Sequence, residues 1–575
     1  MYNSSVCRSG LILLFIVTAA SSLFSDEGAA IPSATNGSWF LDNINIPKNI
    51  KPRPAKDKLI IAIVDDGIRA THNDLKDFIW KKKKEIPYNN IDDDNNGYVD
   101  DTRGWDVSDN DNNPAPPEKR LDVFCHGTHL AGIITQIAEK AYGARASGLI
   151  GIMPVKCLAD SADRTYLKDG YKAIEYAVKA GADIILCAWG VSVISADEST
   201  ILKTAHDKGV LIVASVGNFP QDRQQFPAAK SFVLATAALD RHNRKIENSN
   251  FGTFVDIAAP GIDISSASSL SDTARQIKEG SSMAAAIVAA AAAIIKIQHP
   301  SYTTEQITAC IKNSATPIDV EHPHHIAKLG AGALNIKAAV DSTLFTRNTS
   351  RENRLHTPQG YLHYYNSKRK PVSWTIEPNG SFNGLRFWPV LVNGKFGKSV
   401  LKFYSARPPA ADLIATVPIA DLPESVYVPS TTAYVVFEPK GANRKLDILL
   451  EYKAEPIDFT RMYCSDTVYL DTEGTLTDGS GDDDYSFYSD CKWQITAPKG
   501  KVIHFKFTEF DTEPRNDLVY FFNGYGTHEK IMAVFSGPNI PPELTTWTNT
   551  VLVWFVTNGN NQGTGWKALY QFIEP

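Results

Sequence analysis

Two patterns of apolar positions divide the chain. From about residue 50 to 343, short apolar runs alternate with stretches of helical spacing. Residues 59–64, 183–188 and 210–215 are β-branched and near-continuously apolar. Strands buried on both faces of a parallel sheet read this way. Residues 167–180 and 304–312 have helical spacing, and 283–297 is apolar nearly all round. A helix without a polar face must lie at a domain centre. The pattern predicts a three-layer α/β domain with a parallel sheet and right-handed crossovers.

Residues 344–371 lose periodicity and read as a linker. Beyond them lie strands and turns, with an internal repeat. Val372-Ser-Trp374-Thr-Ile-Glu-Pro378-Asn-Gly380 parallels Lys492-Trp493-Gln-Ile-Thr-Ala-Pro498-Lys-Gly500. Leu401-Lys-Phe-Tyr404 parallels Leu518-Val-Tyr-Phe521, Thr432 to Phe437 parallels Thr550 to Phe555, and Tyr452 parallels Tyr570. The offset stays near 117–120 residues, which predicts two related β-sandwiches in tandem.

At 575 residues several domains are expected. Arg8, the apolar run from Gly10 to Ala20 and the small residues before Ser25 read as a secretory signal over 1–25. No other stretch is apolar for about 18 residues, so a secreted mature chain without a membrane span is expected. A net charge of −6 gives no reason to expect nucleic acid or an anionic membrane as partner. Of seven cysteines, Cys464 and Cys491 frame a C-terminal loop and are expected to form a disulfide. The sequence does not pair Cys125, Cys157, Cys187 and Cys310. Beyond the expected signal, three N-glycosylation sequons begin at Asn36, Asn348 and Asn379.

Three segments carry the chemistry. Val64-Asp65-Asp66-Gly67 ends an apolar run, placing Asp65 where α/β sheets build their sites. His126-Gly127-Thr128-His129-Leu130-Ala131-Gly132 opens an apolar helix. Gly280-Ser281-Ser282-Met283-Ala284-Ala285 sets Ser282 at a helix N-terminus, where the dipole and free N–H groups favour developing negative charge. Acid, base and nucleophile in the order Asp, His, Ser is the chain order of subtilisin. The three segments together resemble the subtilase family of serine endopeptidases. Met153 to Lys156, Phe226 to Ala229, Asn250 to Gly252, Asp256 to Gly261 and Gly332 to Asn335 extend the resemblance over about 40–343.

The resemblance implies that Asp65 orients His126, that His126 is the general base, and that Ser282 is the nucleophile. His129 then has a packing role. Asn218, in Ala214-Ser-Val-Gly217-Asn218, matches the family's oxyanion asparagine. Ala188, Trp189 and Gly190 stand where the family docks substrate backbone. Gln225 falls near the base of the P1 pocket, so large aromatic P1 residues are expected to be disfavoured. Asp92, Asp94, Asn96, Asp100 and Asp101 alternate oxygen ligands around Gly97, the pattern of a hard-cation loop, and calcium is the expected ion.

Residues 464–573 resemble a CUB domain through Cys464, Cys491-Lys-Trp493, Phe510-Asp511, Asp517 and Gly565-Trp566. Asp517 matches a calcium ligand of that family, with Asn558 where aspartate is common. The preceding copy lacks the cysteines and is expected only as a CUB-like sandwich.

Departures from the subtilase pattern are Ala286 for proline, Ser281 for threonine, and Leu186 and Ala188 in the substrate-edge strand. Ser38 to Asn45 already resembles a mature N-terminus, leaving little room for a propeptide.

The expected division is a signal over 1–25, an N-terminal segment over 26–49 and a peptidase domain over 50–343. A linker over 344–371, a CUB-like sandwich over 372–456 and a CUB domain over 457–575 follow. The expected function is a secreted, monomeric serine endopeptidase acting on proteins or peptides, whose CUB-like domains hold a surface or glycan partner. The alternative is an inactive subtilase scaffold that binds or adheres through those domains.

Overall fold

The computed structural model describes residues 37–575 apart from 54–56, 163–166, 323–324, 342–352, 367–370, 380–381, 409–410, 442–445, 457–467, 481–483, 486–488, 527–528 and 558–561. The expected signal, Cys464 and Asn558 lie outside the described residues.

A short helix α1 (Phe40–Asn43) precedes strand β1 (Leu59–Asp65) and β2 (Trp105–Asp106). Then come α2 (His126–Tyr142), α3 (Ala146–Leu149), β3 (Ile150–Lys156), α4 (Gly170–Lys179), β4 (Ile184–Cys187) and α5 (Ala196–Asp207). The unit continues through β5 (Leu211–Ser215), β6 (Leu234–Leu239), β7 (Ile257–Pro260), β8 (Ile264–Ala267) and β9 (Arg275–Lys278). It ends in α6 (Ser281–Gln298) and α7 (Thr304–Asn313), with a last short helix α8 (Ile336–Asp341).

Seven strands form one parallel sheet in the order β2-β3-β1-β4-β5-β6-β7. The unbroken apolar runs have a simple cause. Ile61 and Ile63 of β1 enter one core with α2 and α6, whereas Ala62 and Val64 enter a second core with α4 and α5. Ile184 and Leu186 alternate with Ile185 and Cys187 in the same way on β4. Both faces are therefore covered, and period-two polarity disappears. The expectation of no second apolar stretch of about 18 residues needs correction: helix α6 is long and apolar enough to cross a membrane, but it is 89% buried inside the protein.

Two β-sandwiches follow. The first is built from β10 (Asn353–Leu355), β11 (Gln359–Asn366), β12 (Val372–Ile376), β13 (Phe382–Asn393), β14 (Val400–Tyr404), β15 (Leu413–Pro418), β16 (Val426–Val428), β17 (Ala433–Glu438) and β18 (Leu446–Pro456). The second is built from β19 (Val468–Leu470), β20 (Gly474–Thr477), β21 (Asp490–Thr496), β22 (Val502–Asp511), β23 (Leu518–Phe522), β24 (Ile531–Phe535), β25 (Leu544–Thr545), β26 (Thr550–Val556) and β27 (Gly565–Ile573). The first has sheets β10-β12-β17-β14-β15 and β11-β18-β13-β16, the second β19-β21-β26-β23-β24 and β20-β27-β22-β25. Adding nine to each strand of the first reproduces the order of the second. Every repeated segment falls on equivalent strands. Trp374 lies on β12 (Val372–Ile376) and Trp493 on β21 (Asp490–Thr496). Tyr452 lies on β18 (Leu446–Pro456) and Tyr570 on β27 (Gly565–Ile573).

The linker expectation needs correction. Within 344–371, β10 (Asn353–Leu355) pairs with β12 and β11 (Gln359–Asn366) pairs along β18. Their side chains alternate too briefly among Arg, His and Tyr for periodicity to reveal them. The sandwich also joins the α/β core, because Tyr361 and Leu449 pack in the cluster that holds α6 and α7. At this junction Lys312 Nζ meets Asp256 at 2.9 Å and Glu451 at 2.8 Å.

Candidate active site

Asp65 is the last residue of β1 and is 1% exposed. Both of its carboxylate oxygens lie 2.9 Å from His126 Nδ1. His126 begins α2, and its side chain is 28% exposed. Burial works against the charged imidazole. The Asp65 carboxylate, by charge and hydrogen bond, and then Asp66 outweigh it and raise the His126 pKa, while Lys278 opposes them.

Ser282 is the second residue of α6. Its N–H lies in the first turn, where no intrahelical acceptor exists. Its Oγ donates to the Ala188 carbonyl at 3.1 Å. No hydrogen bond joins it to His126 among the described residues. The preceding Gly280 has φ of 131°, and a Cβ there would approach Asn218 Nδ2 to 2.9 Å. Glycine is thus required both for the turn and for the close approach.

Asn218 follows β5 at the same carboxyl edge of the sheet. Its Oδ1 accepts from Ser281 N–H at 2.8 Å and from Ser281 Oγ at 2.9 Å. This holds the amide by its oxygen and leaves Nδ2 without a protein acceptor among the described residues. The serine in place of threonine at 281 still supplies the hydroxyl for this clamp.

The expected substrate edge separates into two roles. Trp189 Nε1 donates to the Val64 carbonyl at 3.1 Å, and its ring packs edge-on to Tyr171 and against Gly170. It wedges the segment in place. Gly190 is exposed, and a Cβ added there would lie 3.2 Å from Gln225 Cβ. A Cβ on Gly217 would lie 3.4 Å from Gln225 Cγ. Gln225 therefore lies between Gly190 and Gly217, beside Asn218. Leu186 is fully buried in the α2–α6 core, so its change from the family pattern is a packing change. His129 is also structural. Its Nε2 donates to the carbonyls of Ile264 and Gln276, both at 3.1 Å, and burial pushes its pKa down to about 3.

The five residues expected to hold calcium do not act as one set. Asp100 accepts the N–H groups of Asn89 and Asn90. Asp101 receives Lys82 Nζ, Tyr176 Oη–H and the Asn96 amide. Asn96 Oδ1 accepts Tyr98 N–H. Glu85, unremarked in the sequence within a run of lysines, instead joins Asp92 and Asp94, with one carboxylate oxygen from each within 4.8 Å of the others. Glu85 Oε2 and Asp94 Oδ1 are buried without a hydrogen-bond partner. Buried carboxylate oxygens without partners are costly, so this donor set fits a hard cation, beside Lys82 Nζ, which meets the other Asp94 oxygen at 2.9 Å. A second acidic cluster, Asp106, Asp109 and Asp160, surrounds the buried Lys156 ammonium, which already supplies the positive charge.

Cys125, Cys157 and Cys187 of the α/β unit are free thiols. Cys157 and Cys187 are buried, and Cys125 Sγ receives Lys278 Nζ at 3.0 Å. In the second sandwich, Asp517 is buried and accepts a short hydrogen bond from Tyr485.

A parallel α/β sheet with an Asp–His pair and a helix-leading serine at its carboxyl edge defines the class of this protein. The Subtilase family model matches residues 56–361, just over half of the chain, and the chain belongs to that family. Residues 464–570 match the CUB domain. The chain is 31% identical over 239 residues to a thermophilic serine proteinase of Bacillus sp. (strain AK1), a match covering 41% of this chain and 52% of that protein. It is 31% identical over 259 residues to thermitase of Thermoactinomyces vulgaris, covering 45% of this chain and 81% of thermitase. A cold adapted subtilisin-like serine proteinase of solved structure aligns with a TM-score of 0.39 at 21% identity, over 52% of this chain and 98% of that one. The chain thus spans about half the length of the first of these relatives.

Proposed function

We propose that the chain is an active, secreted serine endopeptidase. The observation that carries this reading is the Asp65–His126 pair, with both carboxylate oxygens 2.9 Å from Nδ1. That contact puts the ring proton on Nδ1 and leaves Nε2 free to accept a proton. Ser282 attacks the peptide carbonyl and gives its proton to His126. The tetrahedral oxyanion takes hydrogen bonds from Asn218 Nδ2 and the Ser282 N–H. His126 then protonates the departing amine, and water releases the acyl-enzyme by the same route. The Ser282 hydroxyl must leave the Ala188 carbonyl for this, by rotation about χ1. Nucleophile–base contacts are often loose before substrate binds.

Glu85, Asp92 and Asp94 hold a structural calcium ion in this reading. The two sandwiches bind a protein surface or a glycan, and the Cys464–Cys491 disulfide braces the second. The bond from Ser282 to Ala188, rather than to His126, is the observation that favours the alternative of an inactive binding scaffold.

The test is labelling of the full chain with a fluorophosphonate probe, in calcium and in chelator, beside Ser282→Ala. Calcium-dependent labelling that disappears in the variant is expected. Folded wild-type protein that takes no label would overturn the enzyme reading in favour of the scaffold.

A further inference from the structure

Two aspartates stand together at the end of β1, and only the first has a role in the reading above. Asp66 is 2% exposed. Its Oδ2 accepts the His126 backbone N–H at 2.8 Å, and its Oδ1 accepts that of Gly127 at 2.7 Å. Its own N–H donates to Asp65 Oδ1 at 2.8 Å.

Helix α2 needs this contact. Cys125, at its N-cap position, makes no side-chain capping bond, and no acidic residue lies in its first turn. The Asp66 carboxylate supplies both from another element, satisfying two N–H groups and complementing the helix dipole. Gly127 permits the approach, since a Cβ there would come within 2.6 Å of the Gly67 carbonyl oxygen. One carboxylate at this strand end thus holds the ring of His126, and its neighbour holds the backbone of the same histidine.

We propose that Asp66 is a positioning residue for the general base, pinning the start of α2 to the end of β1 and keeping the His126 imidazole basic. The inference rests on the reading of His126 as base. The titratable groups facing the pair are Asp65 on β1, Lys278 on β9 and Cys157 just after β3. Burial, then the charge of Asp65, pushes Asp66 up to about 7, while His126 and the two N–H groups pull it down. Ionised Asp66 in turn raises His126.

Asp66→Asn keeps the shape and removes the charge. The readout is the rate of fluorophosphonate inactivation of the full chain across pH, with thermal melting as the check on folding. We expect a loss of about ten- to a hundredfold at the plateau, the scale of a misplaced catalytic group. The acid limb should move to lower pH, because a less basic imidazole stays unprotonated further down. Asp66→Ser, which offers one acceptor and no charge, should shift the limb the same way. A folded variant with the wild-type plateau and limb would overturn the proposal.

If neither variant folds, the wild-type chain labelled with ¹⁵N-histidine decides. The His126 Nδ1–H resonance should move in two pH steps, its own and that of Asp66, and a single step would overturn the proposal. This resonance needs no turnover. Failure of wild-type labelling would therefore sink the protease reading alone, and a single-step titration would sink the role of Asp66 alone.

Discussion

Lys312 of α7 and Glu451 of β18 meet at 2.8 Å across the junction of the α/β unit and the first sandwich. The lysine side chain is fully buried and also meets Asp256 at 2.9 Å. Asn313 extends the seam by exchanging two hydrogen bonds with the backbone of Tyr361. The sandwich is therefore docked through buried, directional contacts.

Removing that ammonium leaves the two carboxylates with only the longer contacts of Lys453 Nζ, 3.6 Å from Glu451 and 3.9 Å from Asp256. Lys312→Met should cost about 3–5 kcal/mol, the scale for breaking a buried pair, read as a fall in melting temperature. The pH dependence has a definite sign. Burial opposes the Glu451 charge, but Lys312 and Lys453 outweigh it and depress its pKa. Its stabilisation is present above the unfolded carboxylate value and lost as pH falls through the lower folded value. Lys312 is raised by Asp256 and Glu451 against burial, so its contribution is present below the ordinary lysine value and lost as pH rises through the raised one. A melting temperature that does not move in Lys312→Met would remove the seam from the stability of the fold.

On the proposed oxyanion role, Asn218→Ala should lower kcat by roughly 10²–10³ with little change in KM. Steady-state kinetics on a peptide substrate check this. An equal loss carried by KM would assign Asn218 to ground-state binding.

Calcium should raise the melting temperature of the wild-type chain, by about 2.7 kcal/mol of stabilisation at a hundredfold excess over Kd. Glu85→Gln and Asp94→Asn should lose most of the rise. Asp100→Asn should keep it, because Asp100 lies outside the cluster of Glu85, Asp92 and Asp94. Calorimetry with and without chelator separates the two groups.

Lys278→Ala is the electrostatic counterpart of the Asp66 variants. Its ammonium lowers the His126 pKa, so its removal should move the acid limb of inactivation to higher pH, by under about one unit for a part-exposed charge. The shift should shrink in high salt. A limb that stays in place would mean the ammonium is fully screened from the ring.

Gln225→Gly should open the space between Gly190 and Gly217. Peptide libraries should then show a gain of about tenfold or more for Phe and Tyr at P1, within the range one pocket change supplies. An unchanged profile would place the P1 pocket elsewhere.

Much of this protein was legible in linear form. The runs at 59–64, 183–188 and 210–215 are recognisable because strands covered on both faces must be apolar throughout. Asp65, His126, Ser282 and Asn218 announce themselves through neighbours that backbone geometry requires, such as Gly127 and Gly280. The tandem sandwiches show as a repeat because equivalent strands fill equivalent positions in two cores.

Other features depend on closure in space. Glu85 reaches Asp92 and Asp94 only because the intervening loop folds back. Asp100 and Asp101 look like ligands in a row, yet the fold delivers Asn89, Asn90, Lys82 and Tyr176 to them first. Strands β10 and β11 take their meaning from partners far along the chain. Asp66 reads as half of a turn until the start of α2 arrives sixty residues later. By itself the sequence determined the class of fold and the family, and pointed to residues that the fold gathers at one sheet edge, because periodicity and local backbone demands are written residue by residue. Only the tertiary structure decided which polar groups satisfy one another, because hydrogen bonds and ion pairs depend on distances that chain order does not contain.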